Sequence, residues 1–167
     1  MSPASDTRDA LTSQLAATIQ AFENSITACP PAVWGERIGP HEFWYIAYHS
    51  IFWLDCYSSA AVEGYAPPAP FTMAEMDPAG LYPDRVYTKD ELLAFLAHAR
   101  ATALGAVAAL DEAGAAARWK FGRYDFSVFE KFLLITRHLQ HHTGQLQLLL
   151  RQGGAEPPRW VRQWPNS

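Results

Sequence analysis

The sequence predicts an all-α fold: a four-helix bundle with one long crossover loop between its second and third helices. Three observations predict it: an apolar stripe at helical spacing near the N-terminus, two capping boxes later on, and a proline-rich stretch in mid-chain. At 167 residues the chain suits a single domain, whose core needs no disulfide or partner for stability. Hydrophobic residues at 49% and charged residues at 18% are ordinary for a globular protein and exclude disorder. Aromatics reach 13%, with six tryptophans, so a core or pocket rich in rings is expected.

The first helix is predicted over about 6–28. Leu11, Leu15, Ile19, Phe22 and Ile26 recur three to four residues apart, and Pro30 and Pro31 stop the helix. The second is predicted over about 40–62, with Pro40 at its first position. Its sequence, HEFWYIAYHSIFWLDCYSSAAV, is apolar on most faces, so it should be largely buried. Pro67, Pro68, Pro70, Pro78 and Pro83 then mark the long loop.

Thr88-Lys-Asp-Glu91 is a capping box that opens the third helix, over about 88–112, with Gly114 ending it. Ser127-Val-Phe-Glu130 is a second box and opens the fourth helix, over about 127–152, before Gly153 and Gly154. Nothing reads as a strand. In the tail, Trp160 and Trp164 are expected to pack over the bundle or a neighbouring subunit.

The formal net charge of -4, without clustered Lys and Arg, argues against nucleic acid as the main partner. Cys29 and Cys56 have neither zinc-knuckle nor redox-pair spacing, so two reduced thiols are expected. The segment Met1 to Asp9 is short, polar and of mixed charge, unlike a signal peptide. Apolar runs are too short and too interrupted by charge to span a bilayer. A soluble cytoplasmic protein is expected, with no membrane partner.

The histidines are grouped. His138, His141 and His142 lie within one turn of the fourth helix, in RHLQHHTGQLQLLLRQ. Residues four apart share a face, with β-carbons roughly 5–6 Å apart, so His138 and His142 can present two imidazoles to one ion. His141 lies near that face, so either spacing could chelate. Alone, such a pair is weak evidence, since most are surface or capping histidines. Here Leu133, Leu134, Ile135, Leu139 and Leu146 place it inside the bundle. Burying imidazoles without partners costs on the order of 1–3 kcal/mol per group, and a metal would resolve that cost.

A third ligand must come from another helix, and His49 is the candidate, in mid-helix between Tyr45 and Trp53. The alternative for His49 is a core histidine bonded to a carbonyl or a Tyr hydroxyl. Three neutral imidazoles favour zinc, nickel, copper or iron over magnesium or calcium. His98 suits a surface position, and His41 a pocket rim.

The string His138-Leu-Gln-His-His142-Thr-Gly-Gln-Leu146 closely resembles the helix-four motif of the DinB-like superfamily. There, His–x3–His is followed by a small or basic residue and then Gly-Gln. His49, in an aromatic second helix, matches that family's first ligand, and helix order, length and the long connection also fit. Thr143 stands where the commonest pattern has Arg, a departure expected to act at the pocket edge. The resemblance implies a four-helix bundle, often a homodimer, with a divalent transition metal, zinc or nickel, bound by His49, His138 and His142. By the same mapping His141 is not a ligand. Gln145 either orients a ligand or bound water, or makes a polar contact at an interface. Members with assigned activities include thiol transferases and isomerases that depend on low-molecular-weight thiols such as bacillithiol or mycothiol.

Three protein ligands leave an open coordination position, as in catalytic zinc sites. A water there would titrate at roughly pH 7, or a thiol would bind as thiolate. The expected function is therefore a metal-dependent enzyme acting on a small molecule, a thiol S-transferase or a hydrolase. Tyr45, Tyr48 and Asp55 are acid–base candidates, with packing or inter-helix hydrogen bonding as their alternative. Phe71, Tyr82 and Tyr87 belong to a loop that either covers the metal or is a rigid connector. Arg85 and Arg123 are candidates for the pocket mouth, whereas Arg137 points away from the ligand face. The competing reading is a non-catalytic metal or small-ligand binding protein or dimeric scaffold. There Cys56 or Glu130 would fill the fourth position, although Cys56 lies roughly 10 Å along the axis from His49.

Overall fold

The computed structural model describes residues 3–164. Helix α1 (Pro3–Ala28) buries the predicted stripe: Leu15, Ile19, Phe22 and Ile26 have no exposed surface. A short 3-10 turn, Pro31–Val33, begins at the second of the helix-stopping prolines. Strand β1 (Arg37–Ile38) then pairs antiparallel with β2 (His41–Glu42), and α2 (Phe43–Ser58) follows.

Both ends of α2 differ from expectation. Pro40 serves the hairpin turn after Gly39, whose φ of +59° suits glycine, so the helix opens three residues later with extended Glu42 as its N-cap. A fixed φ suits a turn as well as a first helical turn. At the other end Ser59 leaves the helix at ψ 163°, and its hydroxyl bonds the carbonyls of Cys56 and Ala61. That side-chain alternative to the helix ladder ends it before Val62.

Helix α3 (Lys89–Ala108) has the predicted capping box, with Thr88 and Glu91 bonded in both directions. It ends earlier than expected. Gly114 belongs instead to a short α4 (Glu112–Ala116), capped by Asp111, whose carboxylate accepts from the Gly114 N–H at 2.7 Å. Strands β3 (Arg118–Phe121) and β4 (Tyr124–Ser127) form a second hairpin, turning at Gly122 with φ +55°. Four residues per strand are too few for a period of two to stand out. Helix α5 (Val128–Gln152) keeps one half of the second capping box: the Ser127 hydroxyl accepts from the Glu130 N–H at 3.1 Å.

Helix α1 packs on α3 and α5, and α2 packs on the same two, so α1 and α2 are diagonal. This order sets α2 beside α5. Tyr48, Ile51 and Phe52 of α2 and Phe132, Leu139 and Leu146 of α5 are buried in the common core. Helix α3 is long and apolar enough to cross a membrane by length and composition. In the fold it buries Leu92, Phe95, Leu96, Ala99, Ala103 and Val107, while its Arg100 pairs with Glu23 of α1.

The tail runs along α1, where the Gln14 amide donates to the Arg162 carbonyl and the Trp164 N–H to the Ser13 hydroxyl. Trp160 does not pack over its own bundle: 72% of its surface is exposed. Cys29 and Cys56 are free and buried thiols.

Candidate metal centre

The α2–α5 contact brings His49, at mid-helix, against His138 and His142, one turn apart on α5. The Nε2 atom of His138 lies 3.3 Å from Nε2 of His49 and 3.1 Å from Nε2 of His142. Three ligand atoms within 4.8 Å of one another form a group that could hold a metal ion. Nitrogens bound tetrahedrally to zinc at about 2.0–2.1 Å lie roughly 3.3 Å apart, so the donor set fits such an ion. Of the two spacings on α5, the structure selects His138 and His142. His141 is exposed, packs its ring against His142, and lies outside the group.

The outer nitrogens of His49 and His142 have partners that set their tautomers. Nδ1 of His49 lies 2.6 Å from Oε2 of Glu75, and Nδ1 of His142 lies 2.6 Å from Oε1 of Gln145. Burial pushes the Glu75 pKa up, but the His49 and Trp53 donors and the nearby Tyr45 hydroxyl outweigh burial and leave it below the usual carboxylate value. Glu75 is therefore an acceptor, His49 carries its proton on Nδ1, and its Nε2 presents a lone pair. The Gln145 oxygen fixes His142 in the same way. Burial, followed by the neighbouring histidines, pushes His138 down to about 3. Burial also leads the shift of His142 down to about 4. His138 and His142 therefore present neutral imidazoles near neutral pH, the form that binds metals. His138 has one Nε2 to set against two inward lone pairs, so no arrangement of protons on neutral rings satisfies all three atoms. A cation does.

A model of the DinB superfamily matches residues 9–146, which contain all three histidines and Gln145. The chain belongs to the DinB superfamily. No curated protein matches the chain. Thr143, the departure from the commonest DinB pattern, is fully buried and donates to the Leu139 carbonyl at 2.8 Å. It acts in the helix interface, not at the pocket edge as expected.

Beside the DinB histidines lies a cavity of about 350 Å³, lined by His41, Tyr45, Glu75 and Gln145 together with His49 and His142. His41 is a rim residue, as expected, with Nδ1 at 2.5 Å from the Tyr82 hydroxyl. Tyr82 in turn stacks on Tyr45 with ring centroids 4.1 Å apart. The connection between α2 and α3 thus reaches the site through Glu75 and Tyr82. Phe71 and Tyr87 anchor it elsewhere: Phe71 stacks on Phe95 at 4.3 Å, and Phe71 and Tyr87 each contact Tyr48.

Of the acid–base candidates only Tyr45 lines the cavity. Burial raises its pKa, so it stays protonated. The Tyr48 hydroxyl donates to the Thr72 carbonyl at 2.8 Å. Asp55 accepts from the Tyr65 hydroxyl at 2.7 Å, and its other oxygen faces half-exposed His98 at 3.5 Å. Arg85 pairs with Glu91, and Arg123 lies over the Tyr124 ring. Cys56 is buried in the core with its thiol pushed up to about 12, chiefly by burial, and Glu130 is exposed near the start of α5. Neither joins the histidine group.

Sequence reasoning missed Glu75. It lies 26 residues from His49 in a stretch without periodicity, and no local spacing links the two. A larger cavity of about 470 Å³, between the end of α1 and the start of α3, is lined by Trp34 and Tyr87 and by none of the three histidines.

Proposed function

We propose that His49, His138 and His142 bind one divalent transition metal ion, zinc or nickel, and that the centre transforms a small molecule held in the adjoining cavity. The observation that carries this reading is the convergence of three Nε2 atoms at 3.1 and 3.3 Å, with the outer nitrogens of His49 and His142 held by Glu75 and Gln145. When bound, such an ion supplies Lewis acidity that lets a water or a thiol lose its proton near neutral pH. Glu75 and Gln145 hold the rings of His49 and His142 in orientation. Tyr45 presents a protonated hydroxyl to the cavity as a hydrogen-bond donor. Ile38 and Ile46 give the cavity an apolar side.

The reaction class is thiol S-transfer with a low-molecular-weight thiol, or hydrolysis. A scaffold in which the ion only stitches α2 to α5 would place a fourth protein donor on it. Among the described residues the group holds three, which favours the open site. The chain works as a homodimer in this reading, and sedimentation analysis tests that part.

The test is elemental analysis of untagged protein, for wild type and for His49→Ala, His138→Ala and His142→Ala. About one metal per chain in wild type, lost in each folded variant, supports the centre and justifies assays of thiol transfer and hydrolysis. No metal in wild type after reconstitution with zinc or nickel sinks the reading.

A further inference from the structure

We propose that Glu75 is the positioning residue of this centre, and that through it metal binding and docking of the α2–α3 connection are one coupled equilibrium. The inference rests on the metal reading above.

Glu75 is not carried by a bundle helix. It sits on a 3-10 turn, Ala74–Met76, within the connection. Its side chain is only 5% exposed, and Oε2 holds two donors, Nδ1 of His49 at 2.6 Å and Nε1 of Trp53 at 3.1 Å. Its Oε1 is buried with no hydrogen-bond partner. A buried carboxylate with one unsatisfied oxygen is costly unless a positive charge compensates it. The nearest place for one is the far side of the His49 ring, where the three Nε2 atoms meet. Carboxylate, imidazole and cation then stand in a row, and the carboxylate both orients the ring and increases its basicity.

The coupling follows from where the carboxylate is attached. Trp53 and His49 belong to α2, so the Glu75 contacts fasten the connection to the bundle at the metal site. A second fastening lies three residues earlier, where the Tyr48 hydroxyl meets the Thr72 carbonyl. An ion that favours the docked carboxylate must, by reciprocity, be bound more tightly when the connection is docked.

The experiment measures zinc affinity by chelator competition, and hydrogen exchange of the 71–77 amides with and without zinc. It uses wild type, Glu75→Ala, Glu75→Gln and Tyr48→Phe. In wild type, zinc is expected to slow exchange across 71–77. Glu75→Ala should weaken zinc binding by about 10–100-fold and remove the slowing, with helix content unchanged. Glu75→Gln keeps an acceptor without the charge and should fall between the two; it decides the matter if the Ala variant does not fold. Tyr48→Phe loosens the connection without touching a histidine, and should weaken zinc binding measurably. One zinc per chain with equal affinity in wild type and the Glu75 variants overturns the positioning role. Exchange at 71–77 indifferent to zinc overturns the coupling. A wild type that binds no zinc or nickel overturns the metal reading itself, and this inference with it.

Discussion

Gln145 stands three residues beyond His142 on α5 and turns its amide oxygen back onto the Nδ1 of that histidine, at 2.6 Å. The contact leaves the His142 Nε2 lone pair facing His138. Replacing Gln145 with Leu removes the acceptor and frees the ring to rotate or change tautomer. Metal affinity is expected to fall by about 10–100-fold, as for other outer partners of metal-bound histidines. Gln145→Glu keeps an acceptor and should retain most of the affinity. Chelator competition on folded proteins checks both, and an unchanged affinity in the Leu variant would assign Gln145 a structural role only.

Lys131 is buried at 5% exposure, with Nζ 4.6 Å from the Phe132 ring and 5.8 Å from that of Trp119. Burial pushes its pKa from 10.5 down to about 8. Between pH 8 and 10.5 the unfolded chain therefore holds a proton that the folded chain has lost, and stability rises with pH across that window. Below pH 8 the buried ammonium destabilises the fold by about 3 kcal/mol, partly offset by the ring contacts. Lys131→Met should raise stability at pH 7 by about 1–3 kcal/mol and flatten the alkaline rise. Urea unfolding at several pH values from 7 to 10.5 measures it, and a variant no more stable than wild type would refute the burial cost.

Gly153 closes α5 at φ -80°, where any residue is permitted, so its constraint is space. A β-carbon there would lie 2.2 Å from Cγ2 of Val33, itself 1% exposed. Gly153→Ala is expected to cost about 1–3 kcal/mol by overpacking. Combined with Val33→Ala, the loss should be smaller than the sum of the single losses, and a double-mutant cycle reads the difference.

The helices and their caps were legible because their causes are local. Thr88 and Glu91 are three residues apart and cap each other wherever the chain goes. The α1 stripe needed only a period of 3.6 residues to announce which face is buried. The short hairpins escaped because Arg37–Ile38 and Arg118–Phe121 are too brief to display alternation. Thr143 was misjudged for a related reason: its surroundings come from distant segments.

By itself the sequence determined the bundle class, the crowding of His138, His141 and His142 into one turn, and His49 as the candidate partner from a second helix. Helical geometry brings residues four apart together without reference to the rest of the fold. Only the tertiary structure decided that α2 lies beside α5 at the depth where three Nε2 atoms meet. It alone decided that Asp55 serves Tyr65, and that a glutamate from a proline-rich connection holds His49. Those contacts depend on the path of the chain after α2, set by aromatic anchoring of Phe71 and Tyr87 in the core, which carries no periodic trace in the sequence.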